Sequence, residues 1–457
     1  MDNSNDRNQQ VRRALLKAAG FGSLGALLPA IGCGGSDTAD ESTSFALGHS
    51  STSATALPAT GITGRVVVVG GGMAGAAVAK YLRLWGGSGV AVTLVERSAS
   101  YTSNIMSNLV LTGQRSISSL QYTYNNLVSR YGINRVQGEV VSVDPVGRKV
   151  RLASGSTLAY DRLVLAPGVV FTYELGLGGI PGLETAAAQA RVLHAWQAGP
   201  QTTALRNQIT AMPNGGVFVL TIPAKPYRCP PGPYERACLV ADWLKKNRPG
   251  AKVFILDANP GITAEVHSFT DAFMNVHAGV AEYHPSVVIN SIDASAMTLN
   301  TSIGNIQANV INAIPPHRAG KVVTDAGLAD IGGRWASVNQ LSYESKVAGI
   351  HVIGDSAGTD QPKAGHIGNQ LGKVCADAML RALGGLTPDP APVTNSACYS
   401  PITMDTASWL TAVFAYNPTT LKMAAVADSF REAESRSGEN FSKMNKWFSA
   451  LMTETFS

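Results

Sequence analysis

Six residues, Gly70-Gly71-Gly72-Met73-Ala74-Gly75, constrain the fold of this chain more than any others. They follow a short β-branched run, Gly64-Arg65-Val66-Val67-Val68-Val69, and lead into a helical pattern from Ala76 to Leu82. A run of that length and branching suits a strand buried on both faces of a parallel sheet. Gly70 permits the tight turn, Gly72 lets the backbone approach a pyrophosphate, and Gly75 lets the helix pack close to the sheet. The helix N-terminus then offers amide donors and the positive end of its dipole to phosphates. A second strand, Val90 to Val95, ends in Glu96 with Arg97 beside it, about 20 residues beyond the turn, where a carboxylate holds an adenosine ribose. Strand, turn, helix, strand and acid in this order predict an α/β dinucleotide-binding domain.

Two later segments point to a flavin in that domain. Asp161-Arg162-Leu163-Val164-Leu165-Ala166-Pro167-Gly168 reads as a strand ending in a small-Pro-Gly turn, which brings Ala166 and Gly168 to the cofactor. Gly349-Ile350-His351-Val352-Ile353-Gly354-Asp355 reads as a strand ending in Gly354-Asp355, and an aspartate there can bond a ribityl hydroxyl. The three segments in this order resemble the two-dinucleotide-fold flavoprotein disulfide reductases. That resemblance implies FAD and a glutathione-reductase-like architecture: two Rossmann-like domains and a C-terminal interface domain.

Relatives of that kind bind a nicotinamide in the second domain. Here Asn214 to Thr221 reads as its first strand, but Ile222-Pro223-Ala224-Lys225-Pro226 follows in place of a glycine turn. Prolines lack the amide donors that cradle a pyrophosphate, so nicotinamide binding is not expected. Lys252 to Asp257 gives a later strand, so the fold is expected to outlast its ligand.

The proline-stiffened segment Pro226-Tyr227-Arg228-Cys229-Pro230-Pro231-Gly232-Pro233-Tyr234-Glu235-Arg236-Ala237 carries a thiol that reads as reactive rather than structural. Together with Ile314-Pro315-Pro316-His317-Arg318-Ala319-Gly320-Lys321 and Ala397-Cys398-Tyr399-Ser400, it resembles the flavoprotein subunit of flavocytochrome c sulfide dehydrogenase. The resemblance implies a redox-active disulfide between Cys229 and Cys398, sulfide as substrate, and a c-type cytochrome as acceptor. Glu235 either acts as acid or base on sulfur or caps a helix beginning near Arg236. Arg228 and Lys225 would draw in an anionic substrate. Gln361 to Lys373 resembles the family's segment under the isoalloxazine, which puts Lys363 and Gln370 against the ring. The family often tethers FAD through a cysteine where this chain has Ser103 or Asn104, so the flavin is expected to be non-covalent.

Cys238 and Cys375 lie in apolar helical patterns and read as core thiols. His317 and His366 read as hydrogen-bonded structural groups, because no further ligand sits at metal spacing from either. The region after Pro392 reads as helical, with a mildly amphipathic stretch from Lys443 to Met452. Such a tail suits the alternative of a sulfide:quinone oxidoreductase. A further alternative is a flavoprotein that joins a sulfur-oxidising complex without turning over sulfide.

The N-terminus carries Arg12-Arg13 followed by an Ala/Leu/Gly-rich run from Ala18 to Ile31, the pattern of a twin-arginine export signal. Ala30-Ile31-Gly32-Cys33 resembles a lipoprotein box with Cys33 as the lipid site. Export implies a periplasmic enzyme, membrane-tethered where Cys33 is lipidated. The formal net charge of +5 is too weak a bias to suggest nucleic acid. The expected division is a signal over 1–33 and a disordered tether over 34–63. An FAD domain follows over 64–180 and 305–390, a second dinucleotide-type domain over 181–304, and an interface domain over 391–457.

Overall fold

The protein is described here by a computed structural model covering residues 57–457. The expected signal, the Cys33 lipid site and most of the tether lie outside the described residues. The chain opens with β1 (Gly64–Val69), α1 (Met73–Gly86), β2 (Val90–Glu96), β3 (Asn134–Gln137) and β4 (Arg162–Leu165). It then leaves for a second domain: β5 (Val217–Ile222), α2 (Gly232–Asn247), β6 (Lys252–Asp257), β7 (Ala281–His284) and β8 (Val310–Ala313). It returns through β9 (Val338–Asn339), β10 (Glu344–Ser345), β11 (Ile350–Val352) and α3 (Gly365–Leu383). The last part comprises β12 (Val393–Pro401), β13 (Ala407–Asn417), β14 (Lys422–Ala425), β15 (Arg431–Glu432) and α4 (Gly438–Phe456).

The first sheet runs β9-β10-β11-β4-β1-β2-β3, parallel from β11 to β3, with an antiparallel edge. The second runs β7-β6-β5-β8, parallel throughout. The order reverses beside the first strand of each sheet, and such a switch opens a crevice at the strands' carboxyl ends. The chain therefore has two Rossmann-like domains.

Three boundaries differ from the sequence reading. Leu57 and Ile62 pack on the first domain's core, and the Thr60 hydroxyl bonds the Gly86 carbonyl, so residues 57–63 are not a tether. Two apolar side chains in a Ser/Thr-rich stretch suffice to pin it. The second domain extends to β8, which pairs with β5, rather than ending at residue 304. The region after Pro392 is a sheet, β12-β13-β14 with β15 on β13, and only α4 is a long helix. The buried positions of β12 include Thr394, Ser396 and Ser400, so its alternation is invisible to hydrophobic periodicity.

The apolar face of α4, with Met444, Phe448, Leu451 and Phe456, is buried in the first domain's core rather than presented outward. Among the described residues no helix is long and apolar enough to cross a membrane.

Candidate active site

A cavity of about 630 Å³ follows the carboxyl ends of the first sheet, within the range of cofactor sites. It is lined by Gly70, Gly72, Glu96, Arg97, Ala166, Gly168, Gly354 and Asp355, all expected at the cofactor. Gly70 has φ +101°, and a Cβ there would meet the Ala166 carbonyl oxygen at 2.3 Å. Gly75 stands behind the cavity, where a Cβ would fall 1.8 Å from the Gly70 carbonyl oxygen, so it serves close packing as expected. Gly72 caps α1 with no side-chain bond, which leaves the first amides of the helix free for an anion. Glu96 Oε2 accepts from the Gly71 amide at 2.7 Å and Oε1 from the Ser98 amide at 2.8 Å, so the acid braces the glycine turn while facing the cavity. A backbone cradle, a helix N-terminus and a lining carboxylate fit a flavin dinucleotide.

Lys363 and Gln370 do not line this cavity. The Lys363 ammonium turns back to the carbonyls of Asp355 (2.9 Å) and Ala357 (2.7 Å) and lies over the Trp335 ring at 3.8 Å. Burial pushes it down to about 8. It thus holds the backbone of Asp355 in place rather than reaching a ligand. Gln370 is buried on α3, whose cavity-facing residues are Gly365 and Gly368. Two residues past Gly368 a helix has turned about 200°, to its other side.

A second, smaller cavity of about 80 Å³ adjoins the first, and Asn104, Ile105, Arg228 and Gly365 line both. Its wall contains Cys229, Cys398 and Glu235, brought together from the loop before α2, from β12 and from the first turn of α2. Cys229 and Cys398 are both free thiols, so the disulfide implied by the resemblance is absent from this structure. The thiols hydrogen-bond each other, and that bond together with burial raises Cys398 well above the ordinary thiol range.

Helix α2 begins at Gly232, four residues earlier than expected, because Pro233 is tolerated where the first amides are unbonded anyway. Glu235 does not cap it: Oε1 accepts from Asn108 Nδ2 at 2.8 Å, and burial lifts the carboxyl to about 7. Asn108 also accepts from the fully buried Arg236 at 2.9 Å. Arg236 donates further to the carbonyls of His194 (2.8 Å) and Ala195 (2.7 Å) and to Asn312 Oδ1 (2.9 Å), and lies over the Trp196 ring at 4.5 Å. The amide of Asn108 therefore separates the carboxyl of Glu235 from its charged neighbour.

Arg228 is held from three sides: its amide donates to His317 Nδ1 at 3.0 Å, its carbonyl accepts from the Trp196 indole, and its guanidinium bonds the Trp196 carbonyl. Lys225 is exposed and lines neither cavity, so of the two expected cations only Arg228 belongs to the site. His366 accepts from the Ala397 amide at 2.9 Å, next to Cys398, and meets Trp447 edge to face. Cys238 and Cys375 are fully buried, as read from the sequence. Sequence reasoning missed Asn108, Trp196 and Trp447 as site residues. Trp447 lies in the Lys443-to-Met452 stretch, which read only as an amphipathic tail.

The second domain's would-be nucleotide acid is occupied from within. Asp257, at the end of β6, accepts from the hydroxyls of Tyr234 (2.7 Å) and Tyr283 (2.9 Å) and from Asn259, and has no exposed surface.

Comparison with known proteins agrees with this architecture. Residues 64–206 match the pyridine nucleotide-disulphide oxidoreductase family, and residues 202–315 match the central part of the sulfide dehydrogenase [flavocytochrome c] flavoprotein chain. By these two matches the chain is similar to the pyridine nucleotide-disulphide oxidoreductases and, in its middle part, to the flavoprotein chain of sulfide dehydrogenase [flavocytochrome c]. Those matches fit the flavin dinucleotide site that the larger cavity forms.

Among curated proteins it is 37% identical over 106 residues to a probable ferredoxin reductase of Castellaniella defragrans, and 34% identical over 104 residues to ferroptosis suppressor protein 1 of Taeniopygia guttata. Each match covers 23% of this chain and 26% of the relative. Among solved structures, the sulfide:quinone oxidoreductase of Aquifex aeolicus superposes with a TM-score of 0.66 at 17% identity, over 86% of this chain and 92% of that one. The NAD-dependent persulfide reductase of A. fulgidus superposes with a TM-score of 0.57 at 14% identity, over 85% and 77%. These likenesses concern the fold.

Proposed function

We propose that this chain is the flavoprotein of a sulfide dehydrogenase, oxidising sulfide at Cys229 and Cys398. The observation that carries this reading is the meeting of two thiols and a raised carboxyl in a small cavity sharing one wall with the cofactor cavity. In the oxidised state the two cysteines form a disulfide, and hydrosulfide attacks one of its sulfurs. A bond forms between the incoming sulfur and that cysteine, the bond between the cysteines breaks, and a persulfide and a thiolate remain. Glu235 takes or returns the proton on sulfur, with Asn108 fixing its orientation. Arg228, facing both cavities, attracts the anion and steadies the thiolate. FAD, when bound, supplies a two-electron acceptor that can release electrons singly.

The flavin is non-covalent: among the described residues no cysteine lines the larger cavity, the Ser103 hydroxyl bonds the Ile105 carbonyl, and the Asn104 side chain bonds the Ala198 amide. Acid precipitation is expected to strip all flavin from the polypeptide, and flavin retained on it contradicts this. The acceptor is a c-type cytochrome, and the chain is exported through its Arg12-Arg13 signal with Cys33 as a lipid site.

The decisive experiment adds sulfide anaerobically to the flavin-loaded protein in a stopped-flow spectrometer. Flavin bleaching is expected, and its loss in Cys229→Ser and in Cys398→Ser. Flavin that stays oxidised would favour a non-catalytic partner. Bleaching followed by reoxidation with a soluble quinone but not with cytochrome c would favour a quinone reductase.

A further inference from the structure

Glu265 is a buried acid close to the reacting pair that the mechanism above does not use. It has no exposed surface, and among the described residues its Oε2 has no hydrogen-bond partner. Its Oε1 accepts from the Ser400 hydroxyl at 2.5 Å, and the Ser408 hydroxyl also bonds the carboxyl. Ser400 stands two residues beyond Cys398 in β12, on the same face of the strand, and is paired in register with Ser408 of β13. The Glu265 backbone has φ +51°, in the left-handed region that costs a non-glycine residue about 1 kcal/mol or more. The chain thus bends at some cost to bury a carboxyl there.

The titratable groups facing it are all acidic. Glu235 comes from α2 and Glu432 from β15, where Glu432 also accepts from the Ser268 amide at 2.7 Å. Glu265 in turn acts through space on Cys398 and on Cys238 of α2. A carboxylate in such surroundings, given hydroxyl donors but, among the described residues, no ion-paired cation, is far less stable than the neutral acid.

We propose that Glu265 is a positioning residue for Cys398. Once its buried carboxyl ionises, the charge held on the Ser400 hydroxyl, two residues from the thiol along one face of β12, keeps Cys398 protonated, so that the interior holds one negative charge instead of two. This moves the onset of Cys398 reactivity to higher pH than Glu235 alone would set. The inference deepens the reading of Cys229 and Cys398 as the reacting pair and rests on it for its meaning.

The test requires no sulfide, so a failure of sulfide oxidation leaves its outcome separate. Iodoacetamide alkylation of Cys398 is followed peptide by peptide in the reduced, full-length chain from about pH 6 to pH 10. Glu265→Gln removes the competing charge and is expected to speed Cys398 by about three- to tenfold near pH 8 to 9, where a shift of one pH unit is a tenfold change in thiolate. Ser400→Ala removes a donor to the carboxylate, keeps Glu265 neutral to higher pH, and is expected to move Cys398 the same way by a smaller factor. It decides the question where Glu265→Gln does not fold. A Cys398 profile that superposes on the parent, or that slows, overturns the proposal.

Discussion

Burial raises Glu265 to about 8 and Glu235 to about 7, while an unfolded glutamate titrates at about 4.3. A group that holds its proton more tightly when folded contributes stability that is complete below its unfolded value and is lost as pH rises through its folded value. The melting temperature should therefore fall between about pH 5 and pH 8, and Glu265→Gln should flatten that slope. Scanning calorimetry across that range checks it, and an unchanged slope in the variant contradicts it. The same elevation predicts an inflection near pH 7 in sulfide-driven flavin reduction that disappears in Glu235→Gln. Rates are compared at a fixed concentration of hydrosulfide, because the substrate itself ionises near neutral pH; an inflection that persists on that basis means another group handles the proton. Cys229, Cys398 and Glu235 were legible in the sequence because their proline-rich and Cys-Tyr-Ser segments are unusual. Glu265, Asn108 and Trp447 were not: each is an ordinary residue whose neighbours come from distant parts of the chain.

At the scale of elements, Arg236 fastens the first turn of α2 to the residues before it in space, bonding Asn108, Asn312 and the carbonyls of His194 and Ala195. Arg236→Met would leave three buried acceptors without a donor, the Asn108 and Asn312 side-chain oxygens and the Ala195 carbonyl, while the His194 carbonyl keeps Asn312; this should cost about 3–5 kcal/mol, read as a lower denaturation midpoint. A loss below about 1 kcal/mol would show that water replaces the guanidinium. The sealed Asp257 makes a second forecast: neither NADH nor NADPH should bleach the flavin under anaerobic conditions, and rapid bleaching by either would mean that Tyr234 and Tyr283 release the acid. The glycine turn, both parallel sheets and the absence of a second glycine turn were readable, because strands buried on both faces announce themselves as β-branched runs. The final sheet was not, since Thr394, Ser396 and Ser400 fill the buried side of β12 with polar atoms. Lys363 and Gln370 stand outside the cofactor cavity for a related reason: sequence placed them near the ring, but side-chain direction is set by helix phase and local carbonyls.

For the whole molecule, α4 links the two cavities. Trp447 lines the smaller one, while Phe456 stacks on Tyr101, which lines the larger, at 4.9 Å between ring centroids. Glu454 meets Lys373 of α3 at 3.1 Å, fixing the far end of the helix. Phe456→Ala should leave the fold intact but weaken flavin retention, measured as free flavin after gel filtration; full retention would make the stack a matter of packing alone. The two thiols also come from opposite sides of this assembly, Cys229 from the second domain and Cys398 from the terminal sheet. A covalent link between them would close a loop of well over a hundred residues, and by chain entropy such a closure is worth on the order of 5 kcal/mol against unfolding. Each turnover would then tighten and slacken the join between two domains, so that the oxidised protein resists proteolysis better than the reduced one and its redox state is felt as stiffness.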